Sequence, residues 1–204
     1  MINYTSYTLT DKNFYSEIHE KKQIVIGNSF NLGMGHFIGW ENRLNGHYKK
    51  VSNFTVDTNG NIYQHFDPNY YSEFLNNSLH NKNIISVVLV NQGWFDYNVM
   101  DKKFINYIGI SYTGNNMTEK RWRNHSFWEN YTEKQMESLT VLVNFLLEKF
   151  NIPKKIITHN THVKDIYNFT GVSYRSNWVK DCTDLSPSFD FEIFKNKVEY
   201  DGIQ

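Results

Sequence analysis

The chain of 204 residues contains no alanine and only one cysteine, Cys182, so an internal disulfide framework is excluded. Its 21 basic and 21 acidic side chains cancel, and no net charge favours nucleic acid or an anionic membrane as a partner. No apolar run approaches the ~20 residues that span a bilayer. The first residues lack the charged and apolar regions of a signal peptide. We therefore expect no nucleic-acid partner, no membrane insertion, and a cytoplasmic protein when made.

The residues that are present predict one core. A hydrophobic fraction of 40% and an aromatic fraction of 17% suffice for a single domain over residues 1–204. Residues 92–130 differ from the rest, because tryptophans stand beside basic residues without a clear period. We expect an aromatic-rich insertion there, either an irregular surface lobe packed on the body or a cleft wall on which sugar rings stack.

The spacing of apolar residues predicts a mixed β-sheet flanked by helices, an α/β layered domain. A helix after Tyr131 is the clearest element, because Thr132 and Gln135 form a capping box before a periodic apolar face. Asn59-Gly60 is typical of a hairpin turn. The predicted strands are 23–26, 50–56, 61–66, 84–90 and 155–158. The other predicted helices are 11–22 and 189–198.

Candidate metal ligands lie next to two of these elements. His159 ends the predicted strand 155–158, while Asp184 and Cys182 precede the last helix. A hydrolytic zinc site needs three protein ligands and an open position where the ion lowers the pKa of a bound water. The sequence offers two ligands readily, and a plain strand-end role for His159 remains the alternative.

Five segments resemble, in order and spacing, the zinc N-acetylmuramoyl-L-alanine amidases. This superfamily includes T7-type phage lysozyme, bacterial amidases and animal peptidoglycan recognition proteins. The segments are Ile24-Val25-Ile26-Gly27-Asn28-Ser29, the hairpin 53–64, the strand 84–91, the helix and strand 131–159, and Asp184-Leu185-Ser186-Pro187-Ser188-Phe189-Asp190-Phe191. The resemblance implies the amidase fold, peptidoglycan as the partner and zinc as the cofactor.

The resemblance assigns roles to matching positions. His159 takes the place of the second ligand, and Asp184 that of the third. Lys180-Asp181-Cys182 matches a variant in which the cysteine is the ligand and the lysine stabilises the oxyanion, so Lys180 is the catalytic candidate. The substrate-binding candidates are Asn53 of the hairpin and, from residues 92–130, Trp94 and Trp122.

Departures from the family pattern predict an altered metal site. Gly27 stands where the first histidine ligand is expected, and Val88 stands where many bacterial amidases carry a catalytic glutamate. Residues 167–181 are interpreted as an insertion. His36, His162 or Cys182 would have to replace the missing ligand, so we expect zinc to be bound weakly or not at all.

Three hypotheses follow. The first is an amidase-fold protein directed at peptidoglycan, with a lost or altered zinc site and a binding or structural role. A phage particle is the setting that the asparagine-rich composition, typical of A/T-rich genomes, favours; other phage structural proteins would then be partners. The alternative is an active zinc N-acetylmuramoyl-L-alanine amidase that lyses cell walls. The third is a cysteine hydrolase that uses Cys182 with His159 or His162.

Overall fold

The structure, a computed structural model, describes residues 4–31, 33–76 and 78–200. In chain order its strands are β1 (Thr5–Ser6), β2 (Gln23–Asn28), β3 (Phe54–Val56), β4 (Ile62–Gln64), β5 (Ile84–Leu89), β6 (Trp94–Asn98), β7 (Lys103–Asn106), β8 (Met117–Trp122), β9 (His125–Glu129) and β10 (Gly171–Tyr174). Its α-helices are α1 (Gly35–Asn42), α2 (Glu133–Lys149), α3 (Arg175–Trp178) and α4 (Phe191–Tyr200).

The main sheet has six strands in the order β1-β4-β3-β5-β2-β10. Strands β3 and β4 form the antiparallel hairpin expected around Asn59-Gly60, and the other neighbours pair in parallel. Both faces of this sheet are covered, which accounts for the burial of all six residues of β5, five of them apolar. The predicted α/β architecture, a mixed sheet flanked by helices, is confirmed.

Side chains of β2 alternate between two cores. Ile24 and Ile26 pack in the core that contains the apolar faces of α2 and α4. Val25 points to the other face, where it packs with aromatic residues that include Phe37 and Phe74. Since successive residues of a strand point to opposite faces, Gly27 lies on the face of Val25.

Helix α2 begins as the sequence indicates, with one difference at its cap. The Thr132 hydroxyl accepts from the Gln135 backbone N–H at 3.2 Å. The Gln135 side chain is buried and donates to the Val56 and Val90 carbonyls at 3.0 and 2.9 Å instead of returning to Thr132. Half of the capping box is therefore used to join the helix to the sheet.

Residues 94–129 form a second, antiparallel sheet in the order β7-β6-β9-β8, which we call the lobe. The expectation of an irregular lobe was wrong. Trp128 is fully buried in it, and its indole N–H donates to the Lys120 carbonyl at 2.8 Å. Cross-strand aromatic pairs, rather than a simple apolar period, stabilise this sheet.

Three other expectations need correction. Residues 11–22 form no helix; Phe14 stacks on Phe66 there and Tyr15 bridges to Tyr71. Residues 155–158 form only one bridge, from Ile156 to Val172. Residues 167–181, interpreted as an insertion, contain β10 and α3.

Within the described residues, no helix is long and apolar enough to cross a membrane.

Candidate functional site

Gly27 lies near the end of β2, directly beside Val88 on the neighbouring β5. A Cβ at this position would lie 2.8 Å from Oδ2 of Asp184 and 3.2 Å from a ring carbon of Phe74. The backbone of Gly27 is not in the left-handed region, so conformation does not require glycine here. The close approach of neighbouring side chains does.

Asp184 occupies the space that Gly27 leaves. Its side chain is 0% exposed, and its Oδ2 accepts from the Asn28 backbone N–H at 3.0 Å and from Arg175 Nε at 3.1 Å. Its Oδ1 has no hydrogen-bond partner among the described residues. Burial raises the pKa of the carboxyl group, and the Arg175 charge and the Asn28 N–H offset part of that effect.

Arg175 follows the last residue of β10, and the pairing of Tyr174 with Ile26 brings it next to Gly27. Its side chain is 29% exposed, and the guanidinium lies 5.6 Å from the centre of the Phe74 ring. Burial alone would lower the pKa of this group, but the Asp184 carboxylate raises it overall. The site therefore contains a partly shielded ion pair between Arg175 and Asp184.

Cys182 borders the same ion pair. Burial and the nearby Asp184 carboxylate raise the pKa of its thiol to about 11, although the Arg175 charge acts in the opposite direction. A nucleophilic cysteine reacts as the thiolate, so this environment works against a nucleophilic role. The residues that shift the pKa of the Cys182 thiol are Asp184 and Arg175, and neither His159 nor His162 is among them.

Three other predicted site residues, His159, His162 and Lys180, lie on the surface. His159 is exposed, and its Nδ1 lies 2.9 Å from the Thr161 hydroxyl. His162 and Lys180 are also exposed, and the Lys180 carbonyl accepts from Arg123. The structure places Arg175, not His159, at the strand end that faces Gly27 and Asp184.

His36 is buried on α1, and both of its ring nitrogens have partners. Nδ1 lies 3.4 Å from the Gly33 carbonyl and Nε2 lies 3.3 Å from the Thr55 hydroxyl. Thr55 in turn contacts Nε2 of His65 at 2.8 Å, and His65 Nδ1 donates to the Tyr7 carbonyl. Burial lowers the pKa of His36 to about 4 and that of His65 to about 3. The geometry makes His36 part of a hydrogen-bonded chain rather than a substitute for the ligand missing at Gly27.

A cleft of about 420 Å³ opens above this part of the sheet. Its basic lining residues are Arg43, Lys50 and Arg175, and no aspartate or glutamate lines it within the described residues. Its aromatic lining residues are Phe30, Trp40, Tyr48, Phe74, Trp94 and Tyr107. The cleft therefore combines positive charge with aromatic surface.

Only one of the three predicted substrate-binding residues reaches this cleft. Trp94 lines it and stacks on His125 with ring centres 3.8 Å apart. Trp122 instead packs against Trp128 within the lobe. Asn53 is 1% exposed and its amide oxygen accepts from the Ser86 backbone N–H and hydroxyl, so it joins two strands and cannot contact a ligand in the cleft.

The donor atoms present do not fit a zinc ion. Gly27 supplies no ligand, and Oδ2 of Asp184 already accepts two hydrogen bonds. The adjacent Arg175 guanidinium would repel a divalent cation. Across residues 4–31, 33–76 and 78–200, no three His, Cys, Asp or Glu side chains are grouped to hold a metal ion.

Sequence reasoning missed Arg175 because residues 167–181 were interpreted as an insertion. The signal is weak: Val172 and Tyr174 are β-favouring residues at alternate positions just before Arg175. The run Ile156-Ile157-Thr158 before His159 is more strongly β-favouring, so the local pattern favours the wrong segment. Pairing with β2 decides between them.

Comparison with known proteins agrees with this fold. No curated protein matches the chain. The amidase LysC from Clostridium intestinale URNW superposes with a TM-score of 0.55 at 15% identity, over 97% of this chain and 99% of LysC. A mutant endolysin from Bacillus subtilis gives 0.56 at 17%, over 97% and 99%. An AmpD derivative gives 0.59 at 14%, over 97% and 96%.

These identities show a shared fold and nothing finer. The family match is more specific, because residues 8–171 match the N-acetylmuramoyl-L-alanine amidase family. This segment covers most of the chain and contains β2, the hairpin, β5, the lobe and α2. The chain therefore belongs to the N-acetylmuramoyl-L-alanine amidase family.

Proposed function

We propose that this protein binds peptidoglycan in the cleft beside Arg175 and does not hydrolyse it through a zinc ion. The single observation that supports this is the Arg175–Asp184 ion pair next to Gly27. It places a positive side chain where the family resemblance implies a positive metal ion. Membership of the amidase family supports peptidoglycan as the ligand. The ion pair supports the absence of zinc-dependent hydrolysis.

The ion pair supplies the counter-charge that the buried Asp184 would need in the proposed metal-free site. A buried carboxylate without a counter-charge is costly, and a three-ligand zinc site would satisfy that charge with the ion. Here the guanidinium of Arg175 does so, and it is part of the chain. Loss of a side chain at position 27 gives Asp184 and Arg175 the room to meet.

Two measurements test the proposal together. The protein is mixed with insoluble peptidoglycan in zinc-containing buffer, sedimented, and the supernatant is analysed by mass spectrometry for released stem peptides. We expect the protein in the pellet and no released peptide. Peptide release that a chelator abolishes would overturn the proposal and support an active zinc amidase. Protein that stays in the supernatant would overturn its binding part.

A matched variant strengthens the hydrolysis arm of the experiment. Asp184→Asn removes the charge of the best remaining ligand while keeping the size of the side chain. If wild-type protein releases peptide and this variant does not, Asp184 holds a catalytic metal. If neither releases peptide, the non-hydrolytic proposal stands.

The setting is a separate part of the proposal. The asparagine-rich, alanine-free composition supports a phage origin, and a structural role in the virion would make other phage proteins its partners. Mass spectrometry of purified particles tests this directly. Detection of the chain at a fixed copy number supports a virion component, and absence from particles that are otherwise complete contradicts it.

A further inference from the structure

We infer that the cleft holds its ligand by a carboxylate of the peptide stem, bound between Lys50 and Arg175, with the neighbouring sugar or peptide against Trp94 and Tyr107. This inference rests on the proposed peptidoglycan binding and specifies the part of the ligand that is recognised. Arg175 would then bind the anionic group of the ligand and would take no part in hydrolysis.

The charges of the cleft support an anionic ligand. Arg43, Lys50 and Arg175 line it, and among the residues that the structure describes only Arg175 has a carboxylate partner, the buried Asp184. Arg43 lies 5.1 Å from the centre of the Tyr48 ring, which holds its guanidinium at the cleft wall. The cleft therefore carries excess positive charge, although the whole chain is neutral. Charge-assisted hydrogen bonds to carboxylates are the strong interaction available to such a lining.

Arg175 takes part in the ion pair and also lines the cleft. Its Nε is engaged by Asp184 at 3.1 Å, while its side chain lines the cleft and is 29% exposed. The buried carboxylate thus fixes one edge of the planar guanidinium. Cys182 also hydrogen-bonds to this guanidinium, and the group has five N–H donors in all, so donors remain for a second carboxylate.

The aromatic surface lies in the same cleft. Trp94 is stacked on His125 at 3.8 Å, and Tyr107 meets Phe30 edge-on at 5.9 Å. Both side chains are thus held before a ligand arrives, and flat apolar surfaces of this kind suit the faces of sugar rings. A ligand that joins a sugar to a carboxylate-bearing peptide matches both features, whereas a simple phosphate chain would use only the cations.

A second hollow of about 330 Å³ adjoins the cleft, and we call the two together the groove. They share the lining residues Tyr48, Lys50, Phe74 and Arg175, so Lys50 and Arg175 lie at the boundary between them. The second hollow is also lined by Asp181 and Cys182. A carboxylate held at this boundary would contact Lys50 and Arg175 from either hollow.

The test uses two soluble probes in isothermal titration calorimetry. One is N-acetylmuramoyl-L-alanyl-D-glutamate with both carboxylates free, and the other is its fully amidated counterpart. We expect amidation to weaken binding by about tenfold or more, the loss of one good charge-assisted contact. Lys50→Gln should weaken binding of the charged probe by a similar factor and leave the amidated probe unchanged. Lys164→Gln, at an exposed lysine outside the groove, is the matched control.

Each outcome decides between the possibilities. Equal affinity for both probes overturns the carboxylate inference but leaves peptidoglycan binding in place. Binding to neither probe, together with no sedimentation on peptidoglycan, overturns the proposed function itself. Sedimentation that disappears when phosphate polymers are stripped from the wall shows that wall phosphate is the anion, which also overturns the carboxylate inference.

Discussion

Arg175 Nε lies 3.1 Å from Asp184 Oδ2, beside a residue that has no side chain. This contact connects the sequence departure at Gly27 with its structural consequence. A Cβ at position 27 would stand 2.8 Å from the same oxygen atom. The ion pair between Arg175 and Asp184 therefore depends on the absence of a side chain at position 27.

Gly27→Ala should destabilise the protein. Alanine usually improves a strand position relative to glycine, but here the added Cβ meets a fully buried carboxylate oxygen and a Phe74 ring carbon. Overpacking of this kind costs roughly 1–3 kcal/mol. The free energy of unfolding, from urea titration, measures the effect.

Gly39→Ala is the matched control. Gly39 lies inside α1, and a Cβ there would meet nothing within 4 Å. Alanine should stabilise the protein by up to about 1 kcal/mol through helix propensity. If both substitutions stabilise the protein, Asp184 does not lie against Gly27 as described.

The Arg175–Asp184 pair should show strong coupling in a double-mutant cycle. Arg175→Met leaves a buried carboxylate without its cation, and this should cost roughly 2–4 kcal/mol, near the lower end for buried pairs because Arg175 is partly exposed. Adding Asp184→Asn to Arg175→Met should restore part of the lost stability, because the uncompensated charge is gone. Strictly additive effects of the two substitutions would show that the residues do not interact.

Much of the fold could be predicted from the sequence because its signals are local. Helix α2 has a cap and a long apolar face, and the hairpin has Asn-Gly at its turn. Strand β5 has four β-branched residues among its six. These elements were predicted with boundaries that differ by one to a few residues from those observed. The lobe was harder, because cross-strand aromatic pairs such as Tyr97 with Phe104 leave no simple period.

The site was only partly predictable for a related reason. Asp184 and Gly27 carried the family resemblance and do lie together. His159 attracted the ligand assignment because it ends a β-favouring run, yet that run makes a single bridge and the histidine is exposed. Which strand lies beside β2 depends on long-range pairing, which local composition does not encode. Arg175 could be found only from that pairing.

Acid should destabilise the protein through its buried histidines. Burial lowers the pKa of His36 to about 4 and that of His65 to about 3, whereas unfolded histidine titrates near 6.5. The unfolded state therefore binds protons first as pH falls, and stability is lost from about pH 6.5 downward. The loss from His36 alone is on the order of 3 kcal/mol by pH 4.

Urea titrations between pH 7 and pH 4 measure this loss. His36→Gln keeps hydrogen-bonding groups but cannot titrate, so its stability should fall less steeply over that range. His159→Gln is the control, since His159 is exposed and lies outside the chain of hydrogen bonds through Thr55. The account is contradicted if His36→Gln and wild-type protein lose stability in parallel.

Trp94→Ala should reduce binding to peptidoglycan. Trp94 lines the cleft and contributes a preformed aromatic surface, and its loss should weaken binding by about tenfold, near 1.4 kcal/mol. Trp122→Ala serves as control, because Trp122 packs within the lobe away from the cleft lining. Sedimentation with peptidoglycan gives the affinities, and melting temperatures confirm that both variants are folded. Equal losses in the two variants would place the ligand elsewhere.

The zinc content of the purified chain, after dialysis against metal-free buffer, tests the central claim most directly. The Arg175–Asp184 pair beside Gly27 predicts protein that retains no stoichiometric zinc. Close to one zinc per chain, lost in the Asp184→Asn variant, would show that Asp184 binds a metal ion and would contradict the replacement of the metal site by an ion pair.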